Sequence, residues 1–154
     1  MRNLAELKLL PYGRGREYKK PTEKEVTWLG YRVGGNLPEP YQQFLMETNG
    51  GAPALNRFPG EPGVVLTNFL HLSMEPKSIL WDTENILWNI KQMAGNPRLK
   101  HMLPIALDAD GNIVLISLRF GQRGKVFFYR LDDASLTPLA EDFERFVDEL
   151  VEEK

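Results

Sequence analysis

A single domain of mixed α and β structure is what this sequence predicts, and three observations predict it. The stretch Leu103 to Leu131 is cut into three β-like runs by Asp108-Ala109-Asp110-Gly111-Asn112 and by Gly121-Gln122-Arg123-Gly124. Gly and Asn accept the positive φ that tight reversals require, so these breaks read as turns between successive strands. From Ile113 to Phe120 the residues alternate, with Val114, Ile116, Leu118 and Phe120 on one side and Ile113, Leu115, Ser117 and Arg119 on the other. That pattern predicts a strand whose sheet is covered better on one face than on the other. Elsewhere apolar residues recur at helical spacing between proline and glycine breaks, as in Tyr41, Phe44, Leu45 and Thr48.

In chain order, Asn3 and Glu6 fit a small capping box for a helix carrying Leu4, Leu7 and Leu10, while Ala5, Leu7 and Leu9 fit a strand equally well. Pro11 to Lys20, with Gly13 and Gly15 among basic residues, predicts an exposed loop, and residues 1–20 are read as an N-terminal extension or arm ahead of a domain over 21–154. Thr22 followed by Glu25 predicts a helix start with Val26 and Leu29 facing inward, ending by Gly34-Gly35. Leu37-Pro38-Glu39-Pro40 opens a second helix, since amides of the first turn have no intrahelical partner for proline to remove. Asn49-Gly50-Gly51 closes it through a left-handed residue.

Ala54 to Phe58 and Val64 to Leu72 are short strand candidates around the turn Pro59-Gly60-Glu61-Pro62-Gly63. Ser73 to Ser78 is a connector. A third helix is expected from Asp82 or Thr83 to about Met93, with Ile86, Leu87, Ile90 and Met93 as its apolar face. The last is expected to begin at Thr137-Pro138 and to bury Leu139, Phe143, Phe146, Val147 and Leu150.

A chain of 154 residues is long enough to bury a core without covalent staples. It has no cysteine, which removes disulfides, thiolate metal sites and a cysteine nucleophile, and suits a reducing cytoplasm. With 42% hydrophobic and 26% charged residues, neither wholesale disorder nor a membrane protein is expected, and no leader-like apolar segment opens the chain. A net charge of −2 argues against nucleic acid as the main partner. Cations crowd the start (Arg14, Arg16, Lys19, Lys20, Lys24), and carboxylates crowd the end from Glu141 to Glu153.

Searches for chemistry return ordinary structure. Asp108, Asp110 and Asn112 alternate as in a calcium loop, but the sixth position is Ile113 instead of Gly and the twelfth is Arg119 instead of Glu, so a hairpin turn with exposed carboxylates is expected. His71 and His101 have no second metal ligand at zinc spacing, and no metal or cofactor is expected. No serine lies on a glycine-flanked elbow; Ser73, Ser78, Ser117 and Ser135 read as structural or exposed. Gly13-Arg14-Gly15 lacks the third glycine of a dinucleotide turn. Trp81 and Trp88 lie seven residues apart, and read either as core packing or as an aromatic contact patch.

At Leu37-Pro38, Tyr41, Phe44-Leu45 and Asn49-Gly50-Gly51 the chain resembles the SUKH superfamily, which includes the Smi/Knr cell-wall regulators of fungi and many bacterial immunity proteins. Phe69-Leu70, Leu103-Pro104-Ile105-Ala106, Asp108, Gly111-Asn112, an apolar hairpin, and Phe143 with Phe146 follow in the family's order, from roughly Thr22 to Leu150. The resemblance implies an α+β fold, a largely antiparallel twisted sheet flanked by helices, without catalytic machinery. It implies a protein-binding role: an antitoxin that blocks a cognate toxin, often a nuclease or deaminase, or a regulatory interaction domain of the wall-synthesis type. Its matching residues are structural. For the partner surface the sequence offers Trp81 and Trp88, and the carboxylates Asp108, Asp110, Asp132 and Asp133 as phosphate mimics against a basic cleft.

Overall fold

The computed structural model describes residues 1–10, 20–60, 63–72 and 96–153. Expectations for the loop at 11–19, the connector and helix at 73–95 and the tip of the turn at 61–62 lie outside those residues.

Thr22 starts the first helix as its spacing with Glu25 predicts. Its Oγ1 accepts from the Glu25 amide at 3.2 Å, and the Glu25 carboxylate accepts from the Thr22 amide at 3.0 Å, so two donors without intrahelical partners are satisfied reciprocally. Helix α1 (Glu23–Val33) buries Val26, Leu29 and Val33 and stops at Gly34, where φ is 130°. Helix α2 (Glu39–Glu47) follows Pro38, carries Pro40 in its first turn, and buries Tyr41, Phe44 and Leu45 on one face. Asn3 caps a short 3-10 helix at Leu4–Leu7, which resolves the open choice between helix and strand there. Leu4 and Leu7 are buried in the main core, and Leu10 pairs with Ala52.

The sheet contains β1 (Arg57–Phe58), β2 (Val64–Phe69), β3 (Met102–Asp108), β4 (Ile113–Ser117), β5 (Val126–Tyr129) and β6 (Leu136–Ala140). Its strand order is the sequence order, and each neighbouring pair is antiparallel. The fold is therefore α+β with a six-stranded antiparallel sheet among the described residues. Pro104, which has no amide hydrogen to give the ladder, sits within β3, and the β3–β4 register shifts between Pro104 and Ala106. A bulge is how a sheet accommodates proline away from its edge.

One sheet face carries Leu103, Ile105, Val114, Ile116, Val126 and Phe128 into the main core with α1, α2 and the last helix, α3 (Phe143–Asp148). Aromatic rings dominate that layer. The Phe143 ring centroid lies 5.2 Å from those of both Tyr41 and Phe44, Phe44 is 4.8 Å from Phe69, and Phe146 stacks on Phe58 at 5.2 Å; edge, tilted and offset-stacked contacts of this kind add to the energy of area burial. The opposite face has a smaller cluster of Leu99, Met102, Ile113, Leu115 and Phe127.

Three expectations need correction. Thr137-Pro138 does not begin the last helix: both lie in β6, and α3 starts after Asp142, whose side chain accepts from the Arg145 amide at 2.8 Å. A proline that suits the first helical turn also suits an edge strand, and β6 is an edge. The strand predicted to reach Phe120 ends at Ser117, where Ser117 Oγ accepts from the Arg119 amide and the Ser117 carbonyl accepts from Gly124, leaving Phe120 fully exposed. The strand expected over Ala54 to Phe58 is confined to Arg57–Phe58.

Two measurements test this core. Leu45 is 1% exposed, so Leu45→Ala is expected to cost about 2–5 kcal/mol through lost transfer energy and a residual cavity; an unchanged denaturation midpoint would place α2 elsewhere. The Tyr41 hydroxyl is buried without a hydrogen-bond partner among the described residues, and burial raises its pKa. The native state then keeps a proton that the unfolded chain releases above pH of about 10. This contribution is fully present below that pH and declines above it. Tyr41→Phe is expected to flatten the alkaline fall in stability, and at neutral pH to be neutral or stabilising by about 1 kcal/mol; an alkaline profile parallel to the parent's would contradict the buried phenol.

Candidate functional site

The residues that carry the family pattern form a tether between helix and sheet. Asn49, in the left-handed region at φ 51°, ends α2 with its amide bonded to the Leu45 carbonyl at 2.9 Å. Its buried side chain behaves as a strand segment would. Nδ2 donates to the Leu72 carbonyl at 2.7 Å, and Oδ1 accepts from the Leu72 amide at 2.8 Å. At Gly50, φ is 84° and a Cβ would stand 2.6 Å from the Leu70 carbonyl oxygen, so only glycine fits. Gly51 then exchanges two backbone hydrogen bonds with Phe69, at 3.1 and 2.8 Å. Leu37, Tyr41, Phe44 and Leu45 are buried around this tether, and Gln42 Nε2 donates to the Leu37 carbonyl at 2.6 Å.

The other part of the pattern lies at the opposite side of the sheet's central hairpin. Asp108 ends β3 and directs its carboxylate into the turn that follows. Oδ1 accepts from the amides of Asp110 (2.9 Å) and Asn112 (2.8 Å), and Oδ2 accepts from Asn112 Nδ2 at 2.9 Å. Gly111 supplies the positive φ of 83° that closes the turn. Asn112 Oδ1 in turn accepts from the Leu131 amide at 3.0 Å, joining this turn to the β5–β6 turn. The expectation that both carboxylates of the first turn are exposed is corrected for Asp108, which is half-buried; Asp110 is exposed.

The structure thus brings Asp108, Asp110, Asp132 and Asp133 to one end of the sheet, in two turns bonded to each other. Their states differ. Asp133 accepts from the Ser135 amide at 2.9 Å, and that bond holds its carboxyl below the ordinary range. Asp132 is paired with Arg130 at 3.6 Å, both groups being largely exposed, a geometry that contributes little. Asp110 makes no side-chain bond or ion pair among the described residues and faces solvent. Beside them Leu131 is exposed and lies 3.9 Å from where a Cβ on Gly111 would stand. This end offers negative charge around one apolar side chain. Trp81 and Trp88 lie outside the described residues.

Among the described residues no three His, Asp or Glu side chains gather to hold a metal ion, and no helix is long and apolar enough to cross a membrane. His101 Nδ1 lies 3.0 Å from the Val33 carbonyl at the end of α1, and Ser117 is buried within the sheet. A shallow groove on the outer side of α2, about 330 Å³ and lined by Glu39, Gln42, Gln43, Met46 and Glu47, brings no complementary acid–base or ligand set together.

Helices packed on one face of an antiparallel meander define a scaffold of the α+β class. The family model described as the SMI1 / KNR4 family (SUKH-1) matches residues 20–149, and the chain belongs to that family. No curated protein matches it significantly.

Asn49 separates the two jobs of its position. Asn49→Gly keeps the left-handed backbone but leaves the Leu72 peptide groups without their partner, and is expected to cost about 1–3 kcal/mol. Asn49→Ala adds backbone strain of about 1 kcal/mol or more and is expected to be the less stable of the two. Equal, unchanged urea midpoints would show that the side-chain pairing with Leu72 contributes nothing.

Proposed function

We propose that this chain is a non-enzymatic immunity-type protein of the bacterial cytoplasm that binds a cognate protein toxin and blocks its active site or substrate path. The observation that carries the reading is the meeting of Asp108, Asp110, Asp132 and Asp133 at one sheet end, around exposed Leu131, in a member of a family whose resemblance implies protein binding. Carboxylates arranged on a rigid edge suit the basic cleft of a nuclease, where phosphate oxygens otherwise sit, and long-range attraction speeds such an encounter. The turn hydrogen bonds hold the backbone of both loops, so little ordering opposes association.

Co-expression with the toxin domain encoded beside the chain is expected to restore growth and to give a complex on size exclusion; persistent killing without a complex would end the reading. Within that complex, Asp110→Asn with Asp132→Asn is expected to slow association several-fold at low salt, the difference shrinking as screening grows. Equal rates at all salt concentrations would move the contact away from this end.

A further inference from the structure

The other end of the central hairpin has the opposite character. The loop from Leu118 to Lys125 carries Arg119, Phe120, Arg123 and Lys125, and the segment from Asn96 to Leu103 beside it carries Arg98, Lys100 and His101. The two are joined by the Leu118 amide donating to the His101 carbonyl at 2.8 Å. Arg123 reaches the Asn36 carbonyl in the α1–α2 loop, and Gly124 packs toward Pro38, fixing the loop against the helical layer. The residues from Gly34 to Leu37 in that loop are uncharged, and none of the three segments contains a carboxylate. At the edge of the sheet β6 brings Glu141 beside Lys125, so the cationic character belongs to the side that carries Arg98, Lys100, Arg119 and Arg123.

Among the described residues Arg98, Lys100, Arg119 and Arg123 form no ion pair. Arg98 donates to the Ala134 carbonyl at 3.1 Å and Arg119 to the Arg98 carbonyl at 3.0 Å. These contacts satisfy guanidinium hydrogens but leave the charges uncompensated. Of the cations on this surface, Lys125 alone has a carboxylate partner among the described residues, Glu141 at 3.8 Å. Above them Phe120, fully exposed, projects from a loop whose backbone is closed by the Gly124–Ser117 and Gln122–Arg119 hydrogen bonds. An aromatic ring held in water on an ordered loop contributes nothing to folding. It has the form of an interface anchor, since aromatic residues and arginine dominate the energetic centres of protein interfaces.

We infer that the β4–β5 hairpin is a second docking surface, on which Phe120 enters an apolar pocket of an acidic protein segment while Arg119, Arg123 and Lys100 face its carboxylates. The charge of the surface selects an anionic partner. The single ring selects protein over single-stranded nucleic acid, which needs successive stacking platforms along a cationic groove. Arg98 links the two ends by donating to the Ala134 carbonyl, but the residues of this surface are not those of the Asp110 and Asp132 turns. The inference does not depend on the toxin reading.

Selection of a random phage-displayed library of twelve-residue peptides against the folded chain tests it. The expected result is enrichment of peptides in which Asp and Glu flank one or two apolar residues. Their affinity is expected to fall at least tenfold with Phe120→Ala and several-fold with Lys100→Gln plus Arg123→Gln, the Phe120 variant keeping the parent's thermal midpoint. Peptides without acidic bias, full binding by Phe120→Ala, tighter binding of a twelve-nucleotide oligouridylate than of any selected peptide, or no enrichment would each overturn the inference. Binding by Asp110→Asn with Asp132→Asn is expected to stay unchanged, so failure here and failure of the toxin reading are told apart.

Discussion

Everything in this fold depends on the side chain of Asn49 standing in for a strand. With two hydrogen bonds to the Leu72 backbone, at 2.7 and 2.8 Å, it fastens the end of α2 to the chain emerging from β2. Gly50 permits the approach and Gly51 continues it by pairing with Phe69. Buried peptide groups need partners, and a buried amide left unpaired is costly. Once this junction is made, the Tyr41 and Phe44 face of α2 has one place to go. It lies against Phe143 and Phe69, and the aromatic layer closes over the sheet.

That arrangement sets the turns at the two ends of the sheet. A meander whose strand order follows the sequence puts alternate hairpins at opposite ends, so local chemistry in each turn becomes a regional property of the molecule. Asp108 and Asn112 spend their polar groups inside the turns and hold them together, while Asp110 and Leu131 remain outside. At the far end the β4–β5 loop collects arginines around an exposed ring. The same residue type therefore has two roles within a few positions: one aspartate builds the platform and another is presented on it.

Signals that are local in the chain were legible from sequence. The Thr22–Glu25 capping box, the Pro38 helix start, the Asn49-Gly50-Gly51 stop and the turn at Asp108 to Asn112 each depend on a few adjacent residues and stand in the structure. In two places one sequence pattern serves two structures. Proline at position 138 suits a helix start and an edge strand alike, and the cap that decides the matter is Asp142. The alternation that ends at Ser117 continues in the letters to Phe120, although the backbone has already turned. The joining of the two acidic turns was not legible, because it rests on a hydrogen bond between residues 112 and 131. Nor was the isolation of Phe120 among cations, which requires knowing that the segments 96–103 and 118–125 are neighbours. The resemblance seen in the order of core and cap residues agrees with the family match over 20–149.

A stiff scaffold tethered through Asn49 that meets a toxin with its carboxylate turns, as proposed, would answer to amide hydrogen exchange measured with and without that toxin. The amides of Gly51, Phe69 and Leu72 should exchange slowly in both states; those of Asp110, Gly111, Asn112 and Leu131, already hydrogen-bonded in the turns, should slow further in the complex, and those of Asp132 and Asp133 should become slow only there. Rapid exchange at Leu72 in the free chain, or protection on binding that bypasses both turns, would contradict the account.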